Sequence, residues 1–372
     1  MSPAGSAVLS LQYLPGETRA FLEEDGRLEG LAILRDSGPL ALGTLLLGRV
    51  RRLDRRLNAA FVALPQGPDG FLPLSEAPAA LSEGALLALR VTRVAAEDKG
   101  PRLTGKLESR ERAPASGDEP RVLQRGGSLL PALAARAALV RADDPAAFAL
   151  VPEGMERQLL PAGLPEQAAW DQAIDALLQP EVALEGGGSL IVETGRTLCA
   201  IDVNLGSGEA AAVNEAAARE LARQLRLRAL GGRVVIDFLD SHESGKRAAV
   251  ERTLKEALAQ DPERVKTLGW SRGGLYELTR RRSQPALHEI LLEPAGDYGN
   301  RRKRAATLAF EALRALAAAA RARPAAALAL SVAPAVGAFL ADHPARRYLE
   351  QRLGRTIALD VDATEPFTLA LR

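Results

Sequence analysis

Apolar positions are patterned most tightly between residues 197 and 241, TLCAIDVNLGSGEAAAVNEAAARELARQLRLRALGGRVVIDFLDS. Two short apolar runs, LCAIDVN and RVVIDFLD, flank a stretch with helical periodicity. In that stretch Ala218, Leu221, Ala222 and Leu225 recur at i, i+3, i+4 and i+7, the spacing of one apolar helix stripe. Arg219, Arg223 and Arg226 lie off the stripe, and Gly231–Gly232 supplies a stop. The pattern predicts strand, helix, strand, a plausible crossover whose strand directions stay open. Runs this apolar predict strands buried on both faces of a covered sheet.

Each run is interrupted by an acid, Asp202 in the first and Asp237 in the second. An unpaired buried carboxylate costs several kcal/mol, so each Asp is expected at a strand end facing something that compensates its charge. Asn204 stands two residues beyond Asp202, on the same face of a strand. Two carboxylates and an amide form an oxygen cage, the donor set that a hard octahedral cation such as Mg²⁺ prefers. The competing reading is that both acids merely begin turns.

The rest of the chain has three further patterns. Residues 6–35 alternate apolar runs with polar turns and predict a β-hairpin turning at Asp25–Gly26. Residues 40–107 hold short strand-like runs spaced by Gly, Pro and Asp, which predict a small five-stranded barrel. Arg49, Arg51, Arg52, Arg55 and Arg56 crowd its first hairpin, followed by Phe61 and Phe71. Basic groups beside exposed aromatics are how an OB-fold holds single-stranded nucleic acid, charge tracking the backbone and rings stacking on bases. The alternative is that both rings are core. Beyond the barrel, ESRERAPASGDEPRVLQRGG reads as a charged loop or linker, and Gly186–Gly188 reads as a turn. EQAAWDQAIDALLQP predicts a helix, GGSLIVETG a strand, and KRAAVERTLKEALAQ an amphipathic helix. WSRGGLYELTRRR offers Arg272 and Arg280–Arg282 as phosphate contacts, against the alternative of a solvated face. The tail from residue 301 predicts helix, strand, two short helices and strand.

Composition narrows this picture. The 372 residues suffice for two or three domains, and 47% apolar with 26% charged content is ordinary for a globular protein. A net charge of +1 means that any RNA-binding surface is a local patch. The single Cys199 excludes an intramolecular disulfide and suits a reducing cytoplasm. No apolar run is long enough to span a membrane and the N-terminus has no signal pattern, so the expectation is a cytoplasmic protein without a membrane partner.

AIDVN, NEAAARELARQLRLRALGG, VIDFLD and SRGGLYELTRRR, in this order, resemble the catalytic core of the ribonuclease E/G family, apart from a shortened loop after Asn204. The resemblance implies an α/β, multi-subdomain fold: a ribonuclease H-like part and a DNase I-like catalytic core, with an inserted OB-fold (S1-like) barrel and a small C-terminal α/β domain. The corresponding boundaries are 1–39 and 166–196 for the ribonuclease H-like part and 40–107 for the barrel. Residues 108–165 would be a reduced 5′-sensor region, 197–295 the DNase I-like part, and 296–372 the C-terminal domain.

The same resemblance implies that Asp202, Asn204 and Asp237 are catalytic, with Asp202 and Asp237 holding Mg²⁺ or, alternatively, Mn²⁺. No ligand role is carried onto Asp240. GRVRRLDRRLNAAFVALPQGPDGFLPLSE resembles the family's RNA-binding barrel, which implies that Phe61, Phe71 and Lys99 (in EDKGPRL) grip RNA. Arg141 occupies the place of a 5′-monophosphate-reading arginine, but Ala142 replaces the partner threonine and Asp143 and Asp144 follow. The alternative is an arginine paired with those acids. No Cys-x-x-Cys follows the helix, so no zinc is expected and a zinc-linked assembly is disfavoured. A homodimer stays open.

These readings imply a Mg²⁺-dependent endoribonuclease acting on single-stranded RNA and leaving the phosphate on the 5′ side of the downstream fragment. Arg272 would join the RNA contacts. The rivals are an RNA-binding or ribosome-assembly factor with weak or no catalysis, and a metal-dependent phosphatase or DNase.

Overall fold

The computed structural model describes all residues except 1–6, 79–80, 96–98, 109–117, 128, 162, 196, 240–243, 296–299, 362–365 and 372. Asp240 therefore lies outside the described residues. The fold is mixed α/β and divides into two compact units, each drawn from separated stretches of chain.

One unit takes the chain up to Ser37, Leu133–Asp171, and everything from His288. Its first sheet contains Val8–Leu14, Glu17–Glu24 and Arg27–Arg35, a meander of three strands where the sequence predicts one hairpin. The second turn falls at Asp25–Gly26, both at positive φ, as the Asp-Gly pair predicts. Leu139–Ala142 and then Glu156–Leu159 extend this sheet in parallel. The same unit holds helix Ala305–Ala322, strand Leu328–Val332, helices Pro334–Leu340 and Pro344–Leu353, and strand Ile357–Asp360, the order the tail predicts. A last strand, Phe367–Leu371, lies antiparallel to Leu328–Val332. The Ala-rich helix buries Ala309, Phe310, Ala312, Leu313 and Leu316 against this small sheet.

Four side chains between these elements could not be read from any one local pattern. Glu17 is fully buried and receives Arg19 (3.0 Å), Arg314 (2.6 Å) and Arg35. Arg35 also donates to the Ile290 carbonyl and the Thr307 hydroxyl. Burial pushes the Glu17 carboxyl up, but Arg314, Arg35 and Arg19 outweigh it and hold the pKa at about 2. Burial and the nearby Arg19 pull Arg314 down to about 10, so it stays charged at neutral pH.

The other unit, 38–132 and 172–287, contains the barrel and the acid-bearing sheet. Five strands close the barrel: Leu45–Asp54, Ala59–Ala63, Gly70–Pro73, Arg102–Thr104 and Leu86–Arg93, with the last pairing back to the first. Leu46, Val50, Ala60, Val62, Leu72, Leu89, Val91 and Leu103 fill it. Arg121–Gln124 is a strand paired to Leu45–Leu47, although the sequence predicts linker there; the apolar Val122 packs against the barrel core. Leu42 N–H donates to the Ser283 carbonyl (2.9 Å), a backbone tie between the barrel segment and the chain beyond the acid-bearing sheet.

That second sheet has the order Glu181–Ala183, Ser189–Thr194, Cys199–Asn204, Gly232–Asp237, Tyr276–Arg280, Val265–Trp270. The strand Ser189–Thr194 thus pairs with the Asp202 strand, and the N-terminal sheet is completed from 139–159 instead. The helices Ala210–Leu227 and Ser244–Leu258 bury Ala217, Leu221, Ala222, Leu225, Val250 and Leu254 in a core shared with the sheet.

Candidate active site

The linking helix places the two acids. Its predicted stripe is realised: Ala218, Leu221, Ala222 and Leu225 are all fully buried. The helix ends at Arg228, earlier than the glycine pair, because Ala229 takes a left-handed φ of 50° and Leu230 N–H reaches back to the Leu225 carbonyl. The chain then re-enters the sheet at Gly232, and Cys199–Asn204 and Gly232–Asp237 run parallel. Their register pairs Ile201 with Ile236 and Asp202 with Asp237.

Facing residues on adjacent strands share a side of the sheet, so the alternation can be followed across four strands. Leu190, Val192, Cys199, Ile201, Val203, Val234, Ile236, Tyr276 and Leu278 point to the helix-covered core. Asp202, Asn204 and Asp237 lie on the opposite face, and all three are exposed. This corrects the expectation of strands buried on both faces. The acids do not interrupt a core; they punctuate the open side of a half-covered sheet, where carboxylates carry little desolvation cost.

Neighbouring strands lie about 4.8 Å apart, which sets two like charges side by side. Like charges directly opposite destabilise a sheet. Among the described residues neither carboxylate has an ion-pair or hydrogen-bond partner, and none of them relieves that repulsion. The donors are all hard oxygens, with solvent access for further oxygen ligands, a set that fits Mg²⁺ or Mn²⁺ and not a thiolate-seeking ion. Among the described residues no group of three or more His, Cys, Asp or Glu is arranged to hold a metal, so the fit rests on two carboxylates with Asn204.

The loops around the pair are fixed by two devices. Gly188, at a φ of 87°, lies so close to the segment after Asn204 that a Cβ would come within 2.5 Å of the Asn204 carbonyl oxygen. The glycine turn therefore seats the short loop that follows Asn204. The second device is Asn214, buried in the linking helix. Its amide donates to the Leu239 carbonyl (2.7 Å) and accepts from the Leu239 N–H (3.0 Å), fixing the chain two residues past Asp237. Sequence reasoning missed it; the signal was an amide on the helix's apolar stripe, three and four residues before Ala217 and Ala218.

In the barrel, Phe61 and Phe71 are register partners on adjacent strands, their rings edge-on with centroids 6.1 Å apart. Both are half-buried and neither belongs to the barrel core, which leaves ring surface on the outside. The Arg52 guanidinium sits 4.7 Å from the Phe61 ring centroid. Lys99 is exposed beside Gly100.

Arg272 is exposed in the tight turn between Val265–Trp270 and Tyr276–Arg280. Arg280 is not a phosphate contact: it is buried, bidentate to Asp261 (2.8 and 2.9 Å), and donates to the Leu230 carbonyl. Its position facing Gly232 in the ladder puts it on the core side, which an arginine run does not reveal.

Arg141 is also engaged, though not with Asp143 or Asp144. It donates to the Ser10 hydroxyl (2.9 and 3.2 Å) and to Glu166 (3.0 Å), with Glu23 at 3.6 Å. Asp143 instead accepts from the Tyr13 N–H, and Asp144 caps a short helical turn and pairs with Arg352 (3.1 Å).

Residues 154–283 match the model of the Ribonuclease E/G family. A Ribonuclease E/G-like protein, chloroplastic, of Arabidopsis thaliana is 39% identical over 134 residues, covering 33% of this chain and 13% of that protein. Ribonuclease E of Escherichia coli (strain K12) is 42% identical over 127 residues, 32% of this chain and 12% of the relative. Ribonuclease G of the same strain is 33% identical over 129 residues, 32% of this chain and 26% of the relative. The chain thus covers about a quarter or less of these relatives' lengths. The motif resemblance holds: across the segment that carries Asp202, Asn204 and Asp237, this chain is similar to the ribonuclease E/G family.

Proposed function

We propose that the chain is a metal-dependent endoribonuclease that cleaves single-stranded RNA at the Asp202–Asp237 pair. The observation that carries this is the register pairing of two acids, unpartnered among the described residues, on an open sheet face within the segment matched to the family. Asp202 and Asp237 would hold Mg²⁺, and Asn204 would orient its bound water. When bound, the ion supplies Lewis-acid polarisation of a phosphodiester and a water of lowered pKa. The protein's own part is to hold two carboxylates on rigid strands, to fix the following backbone through Asn214, and to leave the face open to a polymer.

The barrel is the proposed RNA grip. Phe61 and Phe71 would stack on bases while Lys99, Arg52 and Arg272 meet the backbone. The acid-bearing sheet is read as DNase I-like, the N-terminal sheet as ribonuclease H-like, and the barrel as S1-like. The lone buried Cys199, its thiol pushed up to about 11 by burial, suits a reducing cytoplasm as an inert core residue. Incubation of the protein with an unstructured RNA, with and without Mg²⁺, tests the proposal. Metal-dependent internal cuts support it, and RNA binding without cleavage favours the RNA-binding-factor reading.

A further inference from the structure

The open face that carries the acids has a second charged row. Arg233 lies four residues before Asp237 on the same strand, hence on the same side and about 13 Å away at 3.3 Å per residue. Across the ladder Arg233 faces Thr279, and Thr279 faces Lys266 on the edge strand. The two cations therefore share one row, flanking a hydroxyl-bearing side chain. Both are exposed, and among the described residues neither has an ion-pair partner. One step further, Arg281 N–H donates to the Arg264 carbonyl (2.9 Å), which brings two more exposed arginines to the same end of the sheet. Between the basic row and the acid pair stand Val235, Glu277 and Glu193, so the face runs from cations through a mixed row to the two aspartates.

On the linking helix, by contrast, Arg219 is matched by Glu215 and Arg223 by Glu220. A row of unmatched cations repels itself and is relieved by a polyanion. We propose that Arg233 and Lys266 form a phosphate-binding row that holds the RNA backbone at a fixed distance from the cleavage centre. This inference deepens the proposed function and rests on the acid pair being that centre. The row lies far enough from the acids to contact a different phosphate of the same strand. Its role is positioning: it registers the strand on the sheet without touching the reacting atoms.

The test uses the full chain and an unstructured single-stranded RNA, measuring affinity against salt concentration. For single strands log K falls with log salt by about 0.7 per phosphate contact. The double variant Arg233→Gln, Lys266→Gln is expected to lower the slope by about 1.4, uniformly across RNA sequences. The charge-conserving pair Arg233→Lys, Lys266→Arg should keep it. A second readout is length: the double variant should lose the advantage of long over short oligonucleotides in kcat/KM. An unchanged slope in a double variant with wild-type melting overturns the row, while the function stands if the unaltered chain still cuts RNA. An unaltered chain that neither binds nor cuts RNA overturns the function and the row with it.

Discussion

Asn214 and Leu239 exchange two hydrogen bonds, the amide of a buried helix residue satisfying both backbone groups of a residue two positions past Asp237. The helix that links the acid strands thus also fastens the end of one of them. Asn214→Leu keeps the branched shape but orphans the Leu239 N–H and carbonyl, which costs about 1–3 kcal/mol of stability. The expected kinetic signature is a fall in kcat with little change in KM, because Asp237 loses its support while the RNA grip does not. Thermal melting and steady-state kinetics check this; unchanged kcat in a folded variant contradicts the positioning role.

The buried Glu17 cluster predicts an acid limit to stability. Its folded pKa is about 2, below the ordinary 4.5. A depressed carboxylate stabilises the fold above its unfolded pKa and loses that contribution as pH falls through the folded value. Stability is therefore expected to drop by about 3 kcal/mol between roughly pH 4.5 and pH 2 on this account alone. Glu17→Gln should remove this part of the pH dependence and cost about 3–5 kcal/mol at neutral pH, since three arginines then lose their shared anion. Denaturant unfolding across that pH range measures both.

The barrel rings allow a clean separation of binding from stability. Phe61→Ala or Phe71→Ala should weaken binding of single-stranded RNA by about 1–3 kcal/mol for each lost stack. Because neither ring belongs to the buried core, melting should fall by less than the ~3–5 kcal/mol of a core Phe→Ala. A core-sized melting loss with unchanged RNA affinity would contradict the stacking role.

Recognition of a 5′-monophosphate is expected to be weak. The Arg141 fork is already engaged by Ser10, Glu166 and Glu23, so a phosphate must displace carboxylates to reach it. Paired oligonucleotides with 5′-monophosphate and 5′-hydroxyl ends, compared by kcat/KM, should differ little. A tenfold preference for the monophosphate, about 1.4 kcal/mol, would contradict this.

Much of the site was legible because it is written in local periodicity. The 3.6-residue stripe of 218–225 and the acids in LCAIDVN and RVVIDFLD set out strand, helix, strand, and the barrel was visible in its turn residues. What periodicity could not supply was which side of a strand is covered. A run such as RVVIDFLD looks the same whether one face or both are buried, and only the ladder shows that Asp202 and Asp237 share the open one. Long-range polar pairings were equally hidden. Arg280 reads as a phosphate-facing cation until Asp261 is found beneath it, and Arg141 finds Glu166 rather than the adjacent Asp143. The strand Arg121–Gln124 was masked by the charged, glycine-rich residues around it.

On the proposed function, Asp202 and Asp237 together hold the cation that cuts RNA. The most direct measurement is Mg²⁺-dependent cleavage of a single-stranded RNA by the unaltered chain, Asp202→Asn and Asp237→Asn, with each protein's melting temperature followed as Mg²⁺ is added. Cleavage and a metal-induced rise in melting temperature are expected for the unaltered chain. Both should be lost in each variant, with RNA binding nearly intact. Cleavage at near-unaltered rates by either variant would contradict this.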